Sequence, residues 1–205
     1  DFPVLCLWTG FEPIHAAVAG CVADHVPLIV TLLEHGADPN AAAGKVGITP
    51  LCAAAVIHNS AGIQALISAA GDRLKIEKGN RATSDTALGG AAYFSTPAIV
   101  GLLLAANASC AHIDNGGTKL MSACENPAAT PGTLASLCRD GTIDVCHRRR
   151  PTSFILVSIF RLFEMAVWLR LLTSNFAMRL AQLRGSTALH AAAQHGHTSF
   201  VRWLV

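Results

Sequence analysis

The sequence predicts an all-α fold, a solenoid of stacked helix–turn–helix units joined by hairpin loops and interrupted by a basic helical insert. Three observations carry the prediction. Residues 185–205, GSTALHAAAQHGHTSFVRWLV, hold one pattern: a turn, Thr187 opening a short helix with a small-residue face (Ala188, Ala191, Ala192), a Gly-His stop and a second apolar helix. Such a unit is too small to bury its own apolar face and needs copies on either side. The pattern recurs upstream as GFEPIHAAVAG from Gly10, GITPLCAAAVIHN from Gly47, SDTALGGAAYF from Ser84 and GGTKLMSACEN from Gly116. With Glu12, Thr49, Thr86, Thr118 and Thr187 as equivalent positions, the spacings are 37, 37, 32 and 69, the last close to two units.

Each unit has its own local logic. In the first, Pro13 follows Glu12 in the opening helical turn, where its missing N–H costs nothing, and Pro50 follows Thr49 in the same way. A Thr hydroxyl at this position can cap exposed backbone N–H groups. Small residues such as Ala16 and Ala17 let neighbouring helices approach, while Leu, Ile and Val of the second helix fill the layer behind. The first unit's second helix stops at Leu32-Leu33-Glu34-His35-Gly36-Ala37-Asp38-Pro39-Asn40. Residues 102–108 repeat that ending with Asn107 in place of Gly, the next best residue for a left-handed C-cap. Ala70-Gly71-Asp72 is a looser version. Two loop insertions are expected, at Val22 to Val26 in the first unit and at NPAATPG (Asn126 to Gly132) in the fourth, where two Pro and a Gly forbid a continuous helix.

Pro13-Ile14-His15-Ala16-Ala17, Thr49-Pro50-Leu51-Cys52 and Thr187-Ala188-Leu189-His190-Ala191-Ala192 resemble the Thr-Pro-Leu-His signature of ankyrin repeats, whose period is about 33 residues. The resemblance places four repeats at about 10–43, 47–80, 84–114 and 116–147, and a truncated fifth at 184–205. It also implies that His15 and His190 bond within the turn and to the next repeat, and are not metal ligands. The equivalent positions Cys52, Gly89 and Met121 could not share a metal site. Asp1-Phe2-Pro3 without an initiator Met, and Val205 expected within a helix, read as a piece of a longer chain.

Composition narrows the function class. The net charge of +2 gives no reason to expect a nucleic-acid partner. Seven cysteines, an odd number spread over helices and turns, fit small buried hydrophobes in a reducing compartment, hence an intracellular and cytoplasmic setting. Cys138, Cys146 and His147 lack zinc-ligand spacing. There is no Gly-rich phosphate loop, since Gly89-Gly90 and Gly116-Gly117 lie inside repeat signatures, and no GxSxG or HExxH. The reading is a non-catalytic chain with no cofactor and no metal.

Between Cys146 and Arg184 the repeat signature vanishes, which assigns 148–183 to an insert or degenerate repeat. Residues 152–172 read as an apolar helix, and Ser174 as the N-cap of a second one. Residues 147–184 hold seven Arg and one acid, and the rest of the chain eight basic residues against twelve acids. Within the insert the longest uncharged run, 151–160, is half the length of about 20 residues that a membrane span needs. The insert is expected to dock on the stack and fill the empty slot of the 69-residue spacing. A second reading makes it a partner-binding element, with Trp168, Phe160 and Phe163 as anchors and Arg148, Arg149 and Arg150 on its surface. Contact of the insert with a membrane surface ranks below both.

The resemblance implies a protein–protein interaction scaffold that binds through hairpin tips and the concave face of the first helices. It places partner contacts at the tip residues Lys45, Val46, Arg81, Asp85, Asp114, Asn115 and Arg184, and at Val56, Tyr93, Glu125 and Gln194 on the helices. Tyr93-Phe94 is the most suggestive interface pair, against the reading, ranked first, that Tyr93 lies at the surface and Phe94 in the core. The alternative is a regulatory or targeting region of a larger enzyme or membrane protein.

Overall fold

The computed structural model describes residues 11–20, 25–81, 84–114, 116–139, 141–150 and 185–205, and these form ten α-helices. They come in pairs: α1 (Pro13–Ala19) with α2 (His25–Glu34), α3 (Pro50–Val56) with α4 (Ser60–Ala70), α5 (Ala87–Phe94) with α6 (Pro97–Ala105), α7 (Lys119–Glu125) with α8 (Pro131–Leu137), and α9 (Ala188–Gln194) with α10 (Thr198–Leu204). Each helix packs on its own partner and on the equivalent helix of the next pair. The odd-numbered helices thus form an inner layer and the even-numbered ones an outer layer. None exceeds 11 residues, a length at which an isolated helix is marginal in water, so tertiary packing holds them.

The helix starts follow from the Thr residues. The hydroxyl of Thr49 accepts the Cys52 N–H at 3.3 Å, that of Thr86 the Gly89 N–H at 3.3 Å and that of Thr118 the Met121 N–H at 3.4 Å. Thr187 departs from this series, since its hydroxyl bonds to His190 Nδ1 at 2.8 Å. The stops are left-handed at Gly36 (φ 89°) and at Asn107 (φ 63°). In both turns the next residue's N–H reaches back to a leucine carbonyl, Ala37 to Leu32 and Ala108 to Leu103, each at 3.0 Å. Asn107 replaces Gly because its short polar side chain tolerates this conformation.

Side chains also bind one pair to the next. His15 Nε2 donates to the Ile48 carbonyl at 3.1 Å, and Cys52 Sγ lies 3.7 Å from the Asp85 carbonyl, 33 residues on in each case. Burial pushes the His15 imidazole below its ordinary pKa, which favours the neutral ring. Asn59 donates to the Val18 carbonyl at 2.8 Å, and Asn126 to the carbonyls of Ala92 and Ser95 at 2.9 and 2.8 Å. The core is Ala-rich inside and Leu/Ile-rich behind, with Ala54, Ala55, Ala91, Ala92, Ala123 and Ala192 facing Ile29, Leu33, Ile63, Leu66 and Leu103 across the layers, all buried.

Two expectations are corrected. Pro131 and Gly132 do not belong to a loop insertion: they open α8, where Thr130 and Thr133 form a reciprocal capping box. Of the other proposed insertion, His25 and Val26 already belong to α2, and 21–24 lie outside the described residues. The larger correction concerns the 69-residue spacing. No slot is empty, because α9 packs directly on α7 and α10 on α8. The chain leaves this junction at Arg150 and returns at Gly185, and the two arms are tied together: Arg149 N–H donates to the Ser186 carbonyl and Gly185 N–H to the Arg149 carbonyl, both at 2.9 Å. The expected helices of the insert, its docking and Trp168 lie outside the described residues.

Candidate functional site

The inner layer ends each helix on a residue that leaves the packed stack. Val56 closes α3, Tyr93 and Phe94 close α5, Glu125 closes α7 and Gln194 closes α9. Between α5 and α7 the surface sinks into an open cavity of about 260 Å³, lined by Asp85, Gly89, Gly90, Tyr93, Phe94, Asp114, Ser122, Glu125 and Arg149. Four of the residues expected to meet a partner (Asp85, Tyr93, Asp114 and Glu125) therefore lie at one place, with Arg149 of the expected insert surface beside them.

Two glycines of α5 line the depression. A Cβ on Gly90 would lie 3.3 Å from Val56 Cγ2, and a Cβ on Gly89 would fall 2.0 Å from Asp114 Oδ2. Gly89 stands where the other units carry His15 and Cys52, and the Asp114 carboxylate from the following hairpin takes up the vacated space. That carboxylate accepts the Thr86 N–H at 3.2 Å and meets Lys119 Nζ at 2.8 Å. Lys119 is fully buried and also donates to the His112 carbonyl at 2.7 Å. Burial raises the Asp114 carboxyl pKa, and Lys119 opposes the rise. Asp114 is thus no exposed tip residue: only 5% of its surface is accessible, and it holds two hairpins together.

The rim is aromatic on one side and charged on the other. Tyr93 and Phe94 are 40% and 49% exposed, their rings edge to face with centroids 4.5 Å apart. Phe94, expected in the core, belongs to the surface, because α5 ends there and Ser95 takes the buried position. Across the cavity the Arg149 guanidinium binds Glu125 Oε1 at 2.8 Å. Of the remaining residues, Lys45, Arg81, Arg148, Arg150 and Gln194 are exposed, Val46, Val56 and Asp85 are half-buried, and Asn115 and Arg184 lie outside the described residues.

Among the described residues no group of His, Cys, Asp and Glu is arranged to hold a metal ion. Cys52, Cys110 and Cys124 are buried, and burial pushes the Cys52 and Cys124 thiols up to about 11 and about 12, away from the reactive thiolate form. No helix among the described residues is long and apolar enough to cross a membrane. Sequence reasoning missed Lys119, although a signal was present. It directly follows Thr118, where the other units carry Pro13, Pro50, Ala87 and Ala188, and a cation at such a packed position requires a buried counter-charge.

The family model for the ankyrin repeat matches residues 9–43 and 184–205. It does not cover 44–183, within which α3 to α8 continue the same two-layer packing. The comparison with curated proteins gives no match.

Proposed function

Because the chain is an ankyrin-repeat protein, and such repeats are generally protein–protein interaction modules, we propose that it is a non-catalytic scaffold whose inner-face cavity between α5 and α7 seats a side chain of a protein partner. The observation that carries this reading is the exposed Tyr93–Phe94 pair beside a depression lined by Gly89 and Gly90. Exposed aromatic side chains next to a pocket are characteristic anchors of interfaces. The paired Glu125 and Arg149 form a polar rim at its edge. Hairpin tips flanking the cavity extend the surface available to a partner.

The test is affinity capture with the whole chain, followed by measured binding of each protein recovered. Tyr93→Ser combined with Phe94→Ser should weaken a true partner's binding by at least about tenfold, the scale of an interface anchor, while the circular dichroism spectrum stays unchanged. Binding that survives this double substitution would place the interface elsewhere.

A further inference from the structure

We propose that the row of hairpin tips is a docking track for an acidic segment of a partner protein, with an apolar side chain of that segment seated against Tyr93 and Phe94. The proposal deepens the reading above and rests on it for the aromatic contact alone. Lys45, Arg81, Arg148 and Arg150 are exposed, and none takes part in the ion pairs found among the described residues. Their tips are neighbours. The Val46 carbonyl accepts the Arg81 N–H at 2.8 Å, and the Gly116 carbonyl accepts the Arg150 N–H at 2.9 Å. Between these two contacts, Thr86 and Asp114 join the second tip to the third.

The placement runs against the bulk charge. Outside 147–184 the chain holds eight basic residues against twelve acids, yet Lys45 and Arg81 stand exposed at the first two tips, and Arg148 and Arg150 of the basic stretch add to them at the last. Described acids are placed elsewhere: Glu34 at the end of α2, Asp38 and Asp72 in the turns after outer helices, and Glu77 bonded to the Ser109 N–H. Acids close to the tips are largely engaged. Asp114 faces Lys119, with His112 at 3.6 Å, and Glu125 faces Arg149. Asp85 is half-buried, and Asp144 accepts the Cys146 N–H. His147 is occupied by the Gly116 carbonyl. The exposed cations Lys45, Arg81, Arg148 and Arg150 therefore outnumber the exposed acids nearest them, Glu12 at the start of α1 and Asp144 before the last tip.

A run of carboxylates crossing the tips would replace mutual repulsion with attraction and would accelerate encounter. A basic segment would instead be repelled by the four exposed cations. Nucleic acid or an anionic membrane would satisfy the cations, but neither accounts for an aromatic pair beside a side-chain-sized depression at the middle of the row.

The experiment uses the whole chain and a fluorescein-labelled oligo-glutamate peptide with one central Leu, read by anisotropy at physiological ionic strength. Its comparators are the same peptide with Lys for Glu, an oligothymidylate and phosphatidylserine vesicles. The acidic peptide should bind at least about tenfold more tightly than the basic one and weaken with added salt. Lys45→Glu with Arg81→Glu, or Arg148→Glu with Arg150→Glu, should each cost at least about tenfold, and Lys45→Gln with Arg81→Gln less in the same direction. Arg149 is left intact because it holds Glu125. Equal binding of both peptides, indifference to tip reversal, or preference for the oligonucleotide or the vesicles would overturn the proposal. If tip reversal had no effect while Tyr93→Ala with Phe94→Ala abolished binding, the cavity reading would stand and the acidic track would fall.

Discussion

Removing one member of a buried ion pair costs more than the pair itself contributes, because the survivor keeps its desolvation penalty without compensation. Lys119 and Asp114 are such a pair, with side chains 0% and 3% exposed. Lys119→Ala should therefore cost about 3–5 kcal/mol, measured by urea unfolding. Lys119→Leu combined with Asp114→Asn should recover most of that loss, since no unpaired charge remains. If the double variant were as unstable as the sum of Lys119→Leu and Asp114→Asn made singly, the pair would not be coupled. This arrangement was only half legible in the sequence. The unusual Lys after Thr118 is visible, but its partner is identified by a hairpin fold that brings residue 114 against residue 89.

The elements were legible where their signals are local. Thr49, Thr86 and Thr118 cap as expected, and Asn107 takes the left-handed turn. The exposure of Phe94 is not legible in the sequence because it depends on where α5 stops, and the place of Pro131-Gly132 is not because a Pro that breaks one helix also begins the next. In the outer layer, Leu103 is fully buried in α6, and its carbonyl accepts the Ala108 N–H as that of Leu32 in α2 accepts the Ala37 N–H. Leu103→Ala should cost about 2–5 kcal/mol through the cavity it leaves. Lys45→Ala, on an exposed tip, should leave the urea midpoint unmoved. Equal effects would mean that the two layers are not assigned correctly.

For the whole molecule, the 69-residue spacing was the feature least legible in the sequence, because a long gap between signatures fits either a degenerate unit inside the stack or a segment emerging from a hairpin. Contacts between α7 and α9 decide for a continuous stack. Residues 151–184 can then be excised, with Arg150 linked to Gly185 by a short turn, because the flanking backbone is already hydrogen-bonded. The shortened chain should keep its helical dichroism, and hydrogen exchange should show α9 protected as in the parent. Loss of protection confined to α9 and α10 would show that their docking depends on the excised residues.

The junctions between successive helix pairs are closed by different chemistry: an imidazole to a carbonyl at the first, a thiol at the second, a carboxylate and an ammonium at the third, and paired backbone arms at the last. Arrays of near-identical units are prone to pairing out of turn, both within a chain and between chains. Here each junction has its own address. A unit placed one position early would set a Cys or His side chain against the Asp114 carboxylate, or leave Lys119 without its counter-charge. The dissimilarity that weakens the signature in residues 44–183 thus serves assembly, since it penalises every order of stacking except the one the chain encodes.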